Sequence, residues 1–275
     1  WTVRLAPRAG NDTATRGMTF WYGAGSGYRL TGDAVAAEVA TLGRDALASA
    51  FDVGQQLVPF GSAFDAPDRP ALGPRAVIDP LAGIVALLAD GPPDLRAVAQ
   101  AHAARHVELC LDPDGAVHPE VSLTSGHATA SGWARGQAWG MLGFAVAARD
   151  AGAEFAEPAR RSAVWWLERV RPGETPHAAL SDPTSPVDTS AAAIAAAALL
   201  TLGAGGGPEA AEYHAAAVDT IEHLVARHVS ADGIFGDGCY DHTRDLASAH
   251  ELVWGSYFLA ATLAVLSGRV DETPW

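Results

Sequence analysis

The sequence predicts an all-α fold in which paired helices close into an α/α toroid, and three observations lead there. Apolar residues recur at helical spacing near 17–30, 33–50, 80–90, 94–111, 134–150, 155–170, 189–203, 208–229 and 248–267. No convincing hairpin and no alternating run longer than a few residues interrupts them. Alanine recurs through these stretches, above all from Ala191 to Leu202, and small residues let inner helices approach closely. At 275 residues and 49% apolar content, the chain can bury a sizeable core as a single domain, 1–275.

The helix starts carry their own signals. Asp33 is placed to cap 33–50, Asp79 to cap 80–90 and Asp188 to cap 189–203, with Ser131 the candidate before 134–150. Pro80 and Pro158 suit a first helical turn, where the missing N–H costs nothing. The connections are short Gly/Pro loops, except 52–76, 112–132 and 171–188. Loops of that length in a compact domain are often functional.

Composition excludes several roles. The 18 basic residues against 32 acidic ones argue against a nucleic-acid partner. The longest apolar run is too short to span a bilayer, and no secretory leader is visible, so no membrane partner is expected. Cys110 and Cys239 show neither metal spacing nor a disulfide framework, and two thiols suit a reducing, cytoplasmic compartment. A start at Trp1 without methionine suggests a fragment or a processed chain. A protein of net charge −14 that binds an anion must present local cations or amide donors against its own field.

The most informative stretch is Gly132-Trp133-Ala134-Arg135-Gly136-Gln137-Ala138-Trp139-Gly140, which runs directly into a helix. Each glycine inside a helix costs up to ~1 kcal/mol against alanine, so helix formation is not its only requirement. Stacking surface, a fixed cation and a two-faced amide suit a sugar site, while tight helix packing with tryptophan as core filler explains the same residues. Residue types leave both readings open.

Trp133-Ala134-Arg135-Gly136-Gln137-Ala138-Trp139-Gly140 followed by Met141-Leu142-Gly143-Phe144-Ala145 resembles the signature of the unsaturated glucuronyl hydrolases, glycoside hydrolase family 88. Three further stretches match in order: Ala76-Val77-Ile78-Asp79, then Asp188-Thr189-Ser190-Ala191-Ala192-Ala193-Ile194, then Glu251-Leu252-Val253-Trp254-Gly255-Ser256-Tyr257-Phe258-Leu259. The resemblance covers about Thr13 to Arg269. It implies an (α/α)6 toroid with its pocket at inner-helix ends, incomplete here at the N-terminus by roughly one and a half hairpins.

The resemblance also assigns roles. Asp79 matches the family's general acid/base; read from its neighbours alone, Asp79-Pro80 is equally an N-cap and first helical turn. These readings conflict, because capping N–H groups lower a carboxyl pKa and a general acid near neutrality needs it raised. The family's second carboxylate is missing. Its Thr-His-Asp-Leu-Gly-Phe corresponds to Thr13-Ala14-Thr15-Arg16-Gly17-Met18, so Thr15 stands at the aspartate and Ala14 at the histidine. Asp12 or Arg16 is the nearby candidate to compensate, one as a carboxylate and the other as a grip on the substrate's charge.

His118 and Gln137 match substrate-contacting positions, and the Gln137 amide can both donate to and accept from hydroxyls. His127 stands where the family usually has an aromatic. Trp133 and Trp139 are candidate stacking platforms, though helix spacing sends at least one to the core. Arg135 is either a carboxylate clamp or a structural ion-pair partner. Trp254, Ser256 and Tyr257 are placed to close the pocket from the last helix.

The expected substrate is an oligosaccharide with a 4,5-unsaturated uronate at its non-reducing end. The family protonates C4 of that vinyl ether and adds water at C5, which asks for one tuned acid and no metal or organic cofactor. An unsaturated rhamnogalacturonyl hydrolase is the related alternative, although its signature usually has Asn-Gly where this chain has Gln137-Ala138. A non-catalytic sugar-binding relative is the alternative of a different class.

Overall fold

All nine expected helical stretches form helices in the computed structural model, which describes residues 2–61, 74–271 and 273–275. Trp1 and the centre of the 52–76 loop, 62–73, lie outside the described residues, as does 272. After 3-10 turns at Thr2–Arg4 and Ala6–Gly10, the first rod is continuous: α1 (Arg16–Met18), a π-helical stretch (Thr19–Gly25) and α2 (Ser26–Thr31). It stops at Gly32, whose left-handed φ of 70° lets its N–H reach the Tyr28 carbonyl at 2.7 Å. Asp33 then caps α3 (Ala34–Ala48) as expected, accepting from the N–H groups of Val35 and Ala36.

Three further pairs follow: α4 (Leu81–Ala89) with α5 (Pro93–Cys110), α6 (Ala134–Asp150) with α7 (Ala156–Leu167), and α8 (Thr189–Ala204) with α9 (Ala210–His228). The last helix is α10 (Val253–Leu266). Burial separates two layers. Every residue of α4 is buried, as are Ala134 to Ala147 of α6 and Thr189 to Thr201 of α8, while α5, α7 and α9 bury one stripe. Burial puts α4, α6 and α8 inside; the first rod packs on α4 and α10 on α8. These five form the inner row although α10 buries only one stripe, with α3, α5, α7 and α9 outside it. Each outer helix returns the chain, so the inner helices run in parallel and start at one end. That end gathers residues 15, 79, 133, 188 and 252, far apart in sequence.

Close approach explains most of the glycines. A Cβ on Gly17 would stand 2.8 Å from the Ile84 backbone nitrogen, and one on Gly83 would stand 2.7 Å from the Met18 backbone. The first rod and α4 thus cross backbone to backbone just inside their N-termini. In α6, Gly136 lies under Trp133 and Pro119, Gly140 under Val117, and Gly143 against Leu81. Only Gly132 of the informative stretch serves conformation, at φ 95° with open space around it.

Three expectations change. Ser131 does not cap α6; Trp133 occupies the N-cap with no side-chain cap. The last helix starts at Val253 and not near 248, because Tyr240 N–H bonds Ala247 and Gly238 pairs with His250, with Asp245 and Ala247 left-handed. A small sheet also appears: β1 (Arg75–Val77) pairs antiparallel with β2 (Glu120–Ser122), Val77 opposite Glu120. Three-residue strands are too short for alternation to reveal.

At the other end, the tail plugs the ring. Trp275 is fully buried, donates its indole N–H to Thr201 Oγ1 at 2.9 Å and packs on Phe258. A cavity of about 1300 Å³ lies at that end, lined by Trp21, Ala89, Arg149, Leu200 and Leu266 among others. None of the expected site residues borders it.

The helix crossing makes a firm prediction. Gly83→Ala forces a methyl onto the Met18 backbone, and overpacking of this kind costs roughly 1–3 kcal/mol. Urea unfolding checks it: an unchanged midpoint would mean the two helices are further apart than described.

Candidate active site

Asp79 sits where β1 gives way to α4. Ile78 N–H bonds the Pro119 carbonyl at 3.0 Å, which continues the β1–β2 register one step beyond the strands. The helix N-cap is Pro80, with no side-chain cap, so the capping reading of Asp79 is corrected. The residue as a whole is half-buried, but its Oδ1 is shielded and has no hydrogen-bond partner among the described residues. Burial pushes its carboxyl up to about 7; the Arg135 charge opposes this and Glu120 adds to it. An acid poised near neutrality is what capping would have prevented.

Arg135 is a structural cation. Its Nη1 donates to Asp188 Oδ2 at 2.7 Å and to the Cys239 carbonyl, and its Nη2 donates to the Tyr240 carbonyl. The guanidinium lies 4.7 Å from the Trp133 ring centroid and 5.3 Å from that of Trp254. The carboxylate-clamp reading is therefore corrected in favour of the ion pair. Asp188 also caps α8 as expected, accepting from the Ser190 N–H and hydroxyl.

Gln137 is a second correction. It is fully buried; its Oε1 accepts from Val117 N–H at 2.9 Å, and its Nε2 donates to the carbonyls of Gly115 and Ser162, both at 3.0 Å. Both N–H groups are engaged with backbone, so the amide braces the 112–118 loop instead of meeting a sugar. Trp139 is core, 3% exposed and edge-on to Phe258. Trp133 remains half-buried, with one face on Arg135.

His118 has both nitrogens engaged, Nδ1 with the Thr129 carbonyl at 2.7 Å and Nε2 with Asp112 Oδ2 at 3.0 Å. A substrate hydroxyl that meets Nε2 would take the place of Asp112, whose side chain is 42% exposed. Thr15 is half-buried, its hydroxyl 3.0 Å from that of Thr13. Arg16 is buried and donates to the carbonyls of Thr13 and Ala9, tying down the loop before α1 where a substrate grip was considered. Asp12 is exposed and acts on Arg16, not on Asp79.

Ser256, half-buried on the first turn of α10, donates to Glu251, and Trp254 donates to Ser190 Oγ at 3.2 Å. Tyr257 turns inward to Tyr22 and Phe258 and does not close a pocket. His127 is exposed. No group of three or more His, Cys, Asp or Glu suited to a metal occurs among the described residues. The charged residue missed by sequence reasoning is Glu120, whose carboxylate meets Arg75 Nη1 at 2.8 Å.

Comparison with known proteins gives this end of the ring a context. No protein-family model matches the chain. The unsaturated glucuronyl hydrolase of Bacillus sp. (strain GL1) is 29% identical over 233 residues, 73% of this chain and 61% of that protein. The chain resembles the unsaturated glucuronyl hydrolases. It spans about three fifths of the length of that curated relative. The crystal structure of the Bacillus sp. GL1 unsaturated glucuronyl hydrolase superposes with a TM-score of 0.84 at 25% identity, covering 100% of this chain and 81% of the other. An unsaturated glucuronyl hydrolase described as specific for heparin superposes at 0.86 with 21% identity, covering 98% and 79%. The fold is thus the (α/α)6 toroid of the unsaturated glucuronyl hydrolases. No helix among the described residues is long and apolar enough to cross a membrane.

The raised Asp79 pKa has a stability consequence with a definite sign. Between about pH 4, where an unfolded aspartate ionises, and about 7, the folded chain keeps a proton that the unfolded chain has released. Stability therefore falls as pH rises through that window and levels off above it. At ~1.4 kcal/mol per pH unit the loss is at most on the order of 4 kcal/mol, less whatever solvent reaches the half-buried group. Asp79→Asn should flatten this slope and be more stable than the parent at pH 8. Unfolding midpoints at pH 5 and 8 check it, and parallel profiles would place the proton elsewhere.

Proposed function

We propose that this chain is a hydrolase that removes a 4,5-unsaturated uronic acid from the non-reducing end of an oligosaccharide by hydrating its vinyl ether. The observation that carries this reading is Asp79: a carboxyl held near neutrality by burial, at the end of the ring where the inner helices begin. Vinyl-ether hydration needs one acid that keeps its proton at working pH and can take one back, and a carboxyl at about 7 does both. Asp79 gives its proton to C4, leaving a cation at C5 stabilised by the ring oxygen. Water adds there and loses a proton to the Asp79 carboxylate. The hemiketal so formed opens and releases the neighbouring sugar. The step needs no metal and no organic cofactor.

The local structure also suits an anion despite the net charge of −14. Neither α4 nor α6 has a side-chain cap, so their first N–H groups and helix dipoles face the same end. Trp133 offers the ring face not covered by Arg135 to a sugar, and Thr15 and Ser256 offer hydroxyls. The GL1 relative is described as responsible for the degradation of glycosaminoglycan, and the other as specific for heparin. A glycosaminoglycan fragment left by a lyase is accordingly the substrate class we favour. Buried, unpaired Cys110 and Cys239 support a cytoplasmic location for the reaction.

Asp79→Asn should lower turnover of an unsaturated uronide by at least ~10³-fold, because an amide has no proton to deliver to C4. Retained turnover would remove Asp79 from the chemistry.

The bond chemistry separates this reading from an ordinary glycosidase. In heavy water, deuterium should appear at C4 of the released uronate, and solvent oxygen should first appear at C5. The ultraviolet absorbance of the conjugated double bond should decay in step with product release. A retaining or inverting glycosidase labels C1 and leaves the double bond in its first product. A released sugar that still absorbs would sink the hydration mechanism.

A further inference from the structure

Position 15, where a second carboxylate is expected from the sequence, holds a threonine hydrogen-bonded to Thr13. Two carboxylates near each other keep one of them protonated, so a site with a single acid lacks this support unless another group supplies it. The small sheet brings one. In the antiparallel register Val77 lies opposite Glu120 and Arg75 opposite Ser122. Directly opposed residues share a face, and residues two apart on a strand share it too. Ile78 N–H still bonds Pro119, so the register runs one step past Val77; the chain then turns into α4, which leaves Asp79 two residues beyond the one opposite Glu120. Glu120 is held there by Arg75 at 2.8 Å, and the Glu120 N–H donates to Thr129 Oγ1 at 3.0 Å.

We propose that Glu120 is the positioning carboxylate of this site: from β2 its negative charge keeps the proton on Asp79, replacing the carboxylate that position 15 does not provide. The inference rests on Asp79 being the acid of the proposed reaction. Distance explains why Arg75 does not cancel the effect. Arg75 is four residues from Asp79 along the chain, while Glu120 is opposite a residue only two away. Arg75 thus grips Glu120 from the far side. Electrostatics agree: the Glu120 charge raises the Asp79 pKa.

Other groups face this carboxyl or the elements around it. Arg135 approaches from α6, already paired to Asp188 of α8. His118, next to Pro119, is paired to Asp112. His106 of α5 bonds the Val77 carbonyl from beneath β1. Glu120 is the acidic group that acts on Asp79, and its partner Arg75 grips it from the far side, so its charge is the one to remove.

The test reads the Asp79 proton directly. The carboxyl carbons of aspartate are isotopically labelled, Asp79 is assigned from Asp79→Asn, and its titration is followed by NMR in the intact chain. Glu120→Gln should lower the Asp79 midpoint by about one pH unit, the size expected for losing a nearby like charge, and Glu120→Asp should restore most of it. Because turnover needs the protonated acid, the alkaline limb of the pH profile on an unsaturated uronide should move down with it. A midpoint in Glu120→Gln equal to that of the parent overturns the proposal. So does an equal drop in Glu120→Gln and Glu120→Asp, which would mark a loss of sheet packing. If the parent chain turns over no unsaturated uronide, the proposed function fails, while the NMR titration still decides whether Glu120 holds the proton.

Discussion

The start of the inner ring depends on one buried ion pair, Arg135 with Asp188. Arg135 comes from the first turn of α6, and Asp188 is the N-cap of α8. The same guanidinium holds the carbonyls of Cys239 and Tyr240, and it is layered between Trp133 and Trp254. Two inner helices, the loop before α10 and the first turn of α10 are thereby fixed by one cation. The side chains are 5% and 0% exposed, so either partner alone would be an uncompensated buried charge. Such pairs contribute little net stability against an apolar replacement, yet breaking one typically costs about 3–5 kcal/mol. The pair therefore sets geometry more than it adds stability.

That pairing also explains how Asp79 stays protonated next to an arginine. A free guanidinium would draw the proton off. Arg135 is instead neutralised at 2.7 Å by Asp188, so what reaches Asp79 is closer to a dipole field than to a full charge. Desolvation then wins, and an Oδ1 with no partner is the structural mark of it. In the proposed reaction the ion pair and the acid form one arrangement, the first making the second possible.

How much of this could be read beforehand follows from the range of the forces involved. Helix positions were legible because periodicity and the Asp33 and Asp188 caps act within a few residues. The ring of paired helices followed from the same pattern and from recurrent alanine. Roles that depend on which groups meet were not legible. Gln137 has the amide a sugar would want, and a loop with unpaired backbone wants the same amide; only the fold brings Gly115, Val117 and Ser162 to it. Which of Trp133 and Trp139 belongs to the core likewise waited on the fold. Asp79 carried opposite predictions, cap or acid, until Pro80 was seen at the N-cap. Glu120 left no signal, because strands of three residues give alternation nothing to repeat.

The charge balance at this end of the ring sets a limit on what can bind there. A net −14 chain with Glu120 near its acid repels a uronate carboxylate, and an ionised Asp79 would repel it more. In the proposed reaction a protonated Asp79 removes one of those charges. In the proposed reaction the attraction comes from backbone: the starts of α4 and α6, which have no side-chain cap, carry a partial positive charge that decays within a turn. A field that short selects an anion placed at the helix ends and ignores one a few ångströms away. Long-range steering by lysine or arginine would work against the acidic surface, whereas short-range amide donors do not have to. In the proposed reaction the protonated acid and the helix ends thus solve the same electrostatic problem, one by removing a charge and the other by presenting a local dipole.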